Sequence, residues 1–317
     1  MRKISVVAIS IILSVSCNFA LAAPHDDAFK AYDAGDFEAA VNIWRPMAED
    51  GDARAQYWIG KLYTRGAGVA KDFAQARKWI EAAARQGHTK AEHGMGDIYR
   101  YGDGVRSDAS TSFDWYMRAA KKGYALSELS LAELILSDEN SSEERLRSAQ
   151  EWLRSPAERG IARAQYFYGY LYMMGIAGTK DPALARKWFA KAAEQEYVRA
   201  QIELGDLLRT GIGGPVDYDA SAKWFLRAVT GGDFDAWAYM GQLCAELKPQ
   251  REYDHMFAKL WFLSGAKNGS KLAQSIVDNW GWETKQLVEV LLKRHKNNHL
   301  GIETDSYTPS CGMLPRS

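Results

Sequence analysis

Cysteine is scarce in this chain of 317 residues: three occur, too few for a fold stapled together by disulfides. An excess of either charge is also missing. Forty Lys and Arg stand against forty Asp and Glu, so the basic patch or stripe that marks a nucleic-acid binder is not expected. Attraction to an anionic membrane surface has no basis either. Past the N-terminus, no apolar run approaches the roughly 20 residues that span a bilayer. Gly-rich phosphate loops, nucleophile elbows and His-Glu-x-x-His helices are absent as well, so we expect no cofactor and no enzyme. What remains is ample material for a core, with 47% hydrophobic and 12% aromatic residues. That composition excludes wholesale disorder.

The N-terminus has the order of a secretory signal. Arg2 and Lys3 precede an apolar run from Val6 to Val15, and Ala20-Leu21-Ala22 supplies a small-x-small cleavage site. Cleavage after Ala22 would leave a slightly acidic, periplasmic or secreted protein. Cys17 is a poor lipoprotein site, because Ser14-Val15-Ser16 lacks the large aliphatic residue that such signals place three positions upstream.

The rest of the chain repeats itself. Gly60, Gly96, Ala132, Gly169, Gly205 and Gly241 recur every 36 or 37 residues, and Trp79, Trp115, Trp152, Trp188, Trp224 and Trp261 keep the same beat. A third register, Gly51, Gly87, Gly123, Gly160, Gly232 and Gly269, closes each unit, with Glu196 in the one place where glycine is missing. Each unit reads as two helices. Helix A carries the central small residue and often ends at paired glycines, as in Gly66-Ala67-Gly68 and Gly102-Asp103-Gly104. Helix B begins at an acidic cap, Asp72, Asp108, Asp181 or Asp217. The tryptophan of helix B reads as a core anchor.

Helix pairs of this kind bury their apolar faces by stacking on neighbours. The run Ala55-Gln56-Tyr57-Trp58-Ile59-Gly60-Lys61-Leu62-Tyr63, with Gly66, Gly68, Asp72, Ala76, Trp79 and Ala82-Ala83-Ala84-Arg85-Gln86-Gly87, resembles the Sel1-like repeat family, a relative of the tetratricopeptide repeat. The resemblance implies an all-α, right-handed α/α superhelical solenoid of antiparallel helix pairs. About six 36-residue repeats would follow an N-terminal helix pair and precede a C-terminal cap. We expect a signal peptide over 1–22, a solenoid over 23–283, and a capping helix and tail over 284–317.

Repeat three departs from the pattern. Its linker, Ser137-Asp138-Glu139-Asn140-Ser141-Ser142, has no glycine pair, and Pro156 should kink or shorten its second helix. A bend or soft point is therefore expected between Ser137 and Gly160. Of the two cysteines left after processing, Cys244 sits at a core position and Cys311 in the tail. In an oxidising compartment they could pair and pin the tail. Six histidines are scattered. His295 and His299 share a helical spacing but lack the further ligands a metal site needs, so no metal is expected.

The tetratricopeptide relationship also implies a groove. Side chains three before, one after and four after the central small residue would line a concave face. Counted onto this chain, the set includes Tyr57, Lys61, His93, Asp97, Arg100, Tyr166, Tyr170, Met173, Asp206 and Arg209. Tyr, Met and Arg are enriched at protein interfaces, and the run from Tyr166 to Tyr172 is richer in aromatics than packing demands. The expected function is an exported interaction scaffold or adaptor binding another protein, as an envelope regulator or assembly factor. A glycan is a second candidate ligand, since tyrosines stack on sugars. The alternatives are a periplasmic immunity protein that neutralises a toxic effector such as a phospholipase, and a hydrolase of cell-wall or β-lactam-like substrates.

Overall fold

The computed structural model describes residues 25–176, 178, 180–246 and 254–279. The expected leader over 1–22, Cys17, Cys311, His295, His299 and the segment 284–317 lie outside the described residues. Among the described residues the secondary structure is entirely helical, in fifteen helices. The chain divides between Glu139 and Asn140 into two compact units. The first holds α1 over 25–33, α2 (Phe37–Glu49), α3 (Ala53–Arg65), α4 (Phe73–Arg85), α5 (Thr89–Tyr101), α6 (Ala109–Ala120) and α7 (Ala125–Ser137). The second holds α8 (Glu143–Glu158), α9 (Ala162–Met174), α10 (Pro182–Glu194), α11 (Val198–Thr210), α12 (Tyr218–Thr230), α13 (Ala236–Glu246), α14 (Asp254–Lys267) and α15 (Lys271–Asp278).

Within each unit the helices pack in chain order. In the first, α3 with α4 and α5 with α6 form hairpins, joined by the α2–α3, α4–α5 and α6–α7 contacts. In the second, α9–α10, α11–α12 and α13–α14 are the hairpins. This is the all-α repeat architecture that the sequence implies. The acidic caps hold as expected: Asp72 accepts from Ala74 and Gln75 N–H, Asp108 from Ser110 and Thr111, Asp181 from Leu184, and Asp217 from Ala220. Gly66, Gly102, Gly175 and Gly211 end the A helices in the left-handed conformation.

Each hairpin closes on a matched pair of residues. A Cβ added to Gly60 would fall 2.5 Å from Ile80 Cγ1, one on Gly205 would fall 2.6 Å from Phe225 Cε1, and one on Gly169 would fall 3.1 Å from Phe189 Cδ1. Gly96 meets the Tyr116 ring and Gly241 meets Phe262 in the same way. The small residue of helix A is thus the seat for one large side chain of helix B.

That seat corrects the reading of the recurring tryptophan. Ile80, Tyr116, Leu153, Phe189, Phe225 and Phe262, each one residue after it, are buried. Trp79, Trp115, Trp152, Trp188 and Trp224 are only half-buried. Three of these rings lie under a cation one turn later on the same helix: Arg118 over Trp115 at 4.5 Å, Lys191 over Trp188 at 4.1 Å and Arg227 over Trp224 at 4.8 Å. Trp261 is the exception and is fully buried.

Two further irregularities have local causes. Proline does not shorten α8, which runs on through Pro156 to Glu158. The ring falls in the helix's closing turns, as Pro46 does in α2, where little helix remains to be disrupted. Glu196 adopts φ 62°, the left-handed conformation that glycine takes at the other unit ends. Its carboxylate accepts from Gln201 Nε2 at 3.0 Å and from the Arg227 guanidinium.

The A helices also begin on a buried polar position, Gln56, Glu92, Gln165 or Gln201. Gln56 donates to Ala48 O, and Gln86 donates to Gln56 Oε1 at 2.8 Å. Gln165 and Gln195 repeat the arrangement, and Lys122 binds Glu92 at 2.7 Å in its place. These bonds satisfy polar groups where one hairpin meets the next.

Two outcomes follow from the seats. Gly205→Ala should destabilise the protein by about 1–3 kcal/mol through overpacking against Phe225, and Phe225→Leu added to it should restore part of the loss. Tyr116→Ala should cost about 3–5 kcal/mol, with Trp115→Ala costing clearly less. Denaturant unfolding of the purified variants measures both.

Candidate functional site

The A helices carry the predicted interaction residues in two separate groups, one in each unit. In the first unit the group is built on α3 and α5. Tyr57 packs against the His88 ring, 5.0 Å between centroids, and burial pushes its hydroxyl up to about 12. Lys61 follows one turn later and makes no hydrogen bond or ion pair among the described residues. Burial and the neighbouring Arg65 lower its pKa, against the pull of Asp97.

His93, Asp97 and Arg100 are joined in a network that the counting rule did not contain. His93 Nδ1 is 3.0 Å from Ser127 Oγ, and its Nε2 is 3.6 Å from Asp97 Oδ2. The ring packs against both Tyr116 and Tyr124 at 5.2 Å. Tyr116 donates to Asp97 Oδ1 at 2.6 Å, and Arg100 pairs with Glu133 at 3.1 Å. Burial, with Asp97 beside it, raises the Tyr116 pKa and keeps its proton on as a donor. Burial lowers the His93 pKa, and the Lys61 and Arg100 charges lower it further, outweighing Asp97. The neutral form of the His93 ring is thereby favoured.

In the second unit Tyr166, Tyr170 and Met173 of α9 pack on the core formed by α10 and α11. Tyr166 meets Phe189 at 5.6 Å and Tyr197 at 5.2 Å, and burial pushes its hydroxyl up to about 12. Asp206 and Arg209 of α11 pair with each other at 2.5 Å, and Arg209 also binds Glu246 of α13.

Counting missed Glu203 and Tyr239. Both stand two residues before the central glycine, a position the three-place rule skips. Glu203 is half-buried and makes no hydrogen bond or ion pair among the described residues. Burial raises its pKa, and Asp206 adds to the rise. Tyr239 stacks on Phe225, with centroids 5.5 Å apart and planes at 17°.

Among the described residues no group of His, Cys, Asp and Glu is arranged to hold a metal ion. No described helix is long and apolar enough to cross a membrane. Cys244 is buried and disulfide-bonded, and its partner lies outside the described residues.

The depressed His93 pKa fixes a pH dependence. The folded state prefers the neutral ring, so below the ordinary value of 6.5 the unfolded chain takes up a proton that the folded chain resists. Stability should fall as pH drops from about 7.5 to about 5.5. The fall should be smaller in His93→Asn, though not abolished, since His88 is lowered too, chiefly by burial. Melting temperatures across that range measure the difference.

Comparison with known proteins agrees with the geometry. The Sel1 repeat family matches residues 53–88, 89–124, 162–197 and 198–233. Those four stretches are the hairpins α3–α4, α5–α6, α9–α10 and α11–α12, and the irregular repeat three is passed over. Among solved structures, a Sel1 repeat protein from Oxalobacter formigenes is similar at a TM-score of 0.65 and 26% identity, over 75% of this chain and 94% of that one. The antigen c5321 of uropathogenic Escherichia coli strains, which displays an SLR fold, is similar at a TM-score of 0.68 and 28% identity, over 81% of this chain and 56% of that one. This chain thus spans little more than half of the E. coli protein. No curated protein matched. With four matched repeats, each a hairpin in space, and solved Sel1 repeat proteins as structural neighbours, the chain carries four Sel1 repeats in a Sel1-type helical repeat fold.

Proposed function

We propose that this protein is an exported scaffold that binds a protein partner on the A-helix face, as an envelope regulator or assembly factor. The observation that carries the proposal is the state of that face. Tyr57, His93, Tyr166 and Tyr239 are each held by ring contacts within the protein, so a partner meets aromatic groups already ordered. Preorganisation of this kind lowers the entropic cost of binding. Charged groups flank the rings in both units, as in interfaces where aromatic anchors supply affinity and charges supply specificity.

Export is supported by the leader pattern of Arg2, Lys3, the apolar run and Ala20-Leu21-Ala22, with cleavage proposed after Ala22. The disulfide at Cys244 suits an oxidising compartment. Once Cys17 leaves with the leader, Cys311 is the remaining cysteine, and we assign it as the partner, pinning the segment 284–317 to the last repeat.

The test is capture from an envelope extract by mature wild type and by Tyr166→Ala/Tyr170→Ala, with both shown folded by circular dichroism. One major band should be retained by wild type and reduced at least about tenfold by the variant, equivalent to about 1.4 kcal/mol. Mass spectrometry of the band names the partner, and a toxic enzyme there would assign an immunity role. Equal recovery by both proteins would remove the α9 patch from the function.

A further inference from the structure

Glu203 is the anomaly of the A-helix face. A half-buried carboxylate is normally paired or hydrogen-bonded, because taking a charge out of water is costly. The other partly buried acids on this face have partners: Asp97 accepts from Tyr116, Asp206 binds Arg209, and Glu133 binds Arg100. Glu203 has none among the described residues. Two cations on its own helix could have served. Arg209 is committed to Asp206 and Glu246. Arg199, one turn before Glu203, is exposed and forms no ion pair with it.

The A helices before and after that of Glu203 each carry a tyrosine whose hydroxyl feels its charge. Tyr166 of α9, Glu203 of α11 and Tyr239 of α13 come from three successive A helices, and α11 packs directly on α13. Ile202, next to Glu203, joins Tyr239 against the α12–α13 core, while Tyr166 joins the α10–α11 core. Glu203 is the charge that acts most strongly on both tyrosine hydroxyls. A carboxylate without a hydrogen bond or ion pair, on the A helix between those of two tyrosines, complements a flat cation. Guanidinium stacks on tyrosine faces while its N–H groups reach a carboxylate, and an ammonium is a poorer match because it is a compact, strongly hydrated point charge.

We propose that Glu203, flanked by Tyr166 and Tyr239, receives an arginine side chain presented by the partner protein. The inference deepens the scaffold reading and rests on it. The unpaired carboxylate is then a place where stability is given up in the free protein and recovered on binding, as at many functional sites.

The probe is ethylguanidinium, titrated into the mature full chain and followed by NMR. The backbone amides of Tyr166, Glu203 and Tyr239 should shift saturably, and the neutral isostere ethylurea should not move them. Glu203→Gln should weaken the response at least about tenfold and should raise the melting temperature of the free protein. Tyr239→Leu, which keeps the carboxylate, should also weaken the response. These opposite effects of Glu203→Gln separate a ligand site from a structural carboxylate. A lowered melting temperature or an unfolded Glu203→Gln protein, a non-saturable response, an equal response from ethylurea, or tighter binding of butylammonium would each overturn the proposal. Saturable guanidinium binding without a captured envelope band would leave this site standing and sink the scaffold reading. A captured band that depends on Tyr166 and Tyr170, with no guanidinium response, would do the reverse.

Discussion

The close approach of a glycine on one helix to a large side chain on the next is the constraint from which the rest of this structure is built. At Gly60, Gly96, Gly169, Gly205 and Gly241 even one added carbon would press into Ile80, Tyr116, Phe189, Phe225 or Phe262. Interiors packed to this density do not deform gradually. The contact therefore fixes both the separation and the rotation of the two helices of a hairpin. Fixing the rotation decides which residues of helix A turn inward and which remain for other uses.

The consequences reach the face where binding is proposed. With the glycine turned toward helix B, the residues three before and one and four after it lie roughly 40–100° further round helix A, on the flank beside the seat, where Tyr57, Lys61, His93, Asp97, Tyr166 and Asp206 stand. The same seat can serve both purposes. Tyr116 fills the Gly96 seat and also donates to Asp97 on that flank, so core packing and surface electrostatics are set by one side chain. Glu203 sits beside the Gly205 seat without a hydrogen bond or ion pair among the described residues, a point where the local rule of polar satisfaction is set aside.

Much of this could be read from the residues alone. Three registers at one period gave the hairpins, and Asp72, Asp108, Asp181 and Asp217 marked where the B helices start, because a capping carboxylate acts locally. Glu196 stood out as the missing glycine, and the structure shows it in the left-handed conformation that the glycines take at the other unit ends. The glycine-free linker of repeat three lies where the chain divides into its two compact units. What could not be read depended on contacts across helices. Tryptophan is the most conspicuous residue of helix B, yet the buried anchor is the residue after it, which varies among Ile, Tyr, Leu and Phe. The His93 network needs Ser127 and Tyr124 from a neighbouring helix. Glu203 was overlooked because a counting rule borrowed from a related repeat assigns no role to its position.

The central claim is that the hairpin geometry reserves the A helices for a partner. Hydrogen–deuterium exchange of the protein alone and with its captured partner tests it most directly. Protection on complex formation should concentrate in α3, α5, α9, α11 and α13. Protection confined to the B helices α4, α6, α10 and α12, or to the segment after residue 283, would contradict it.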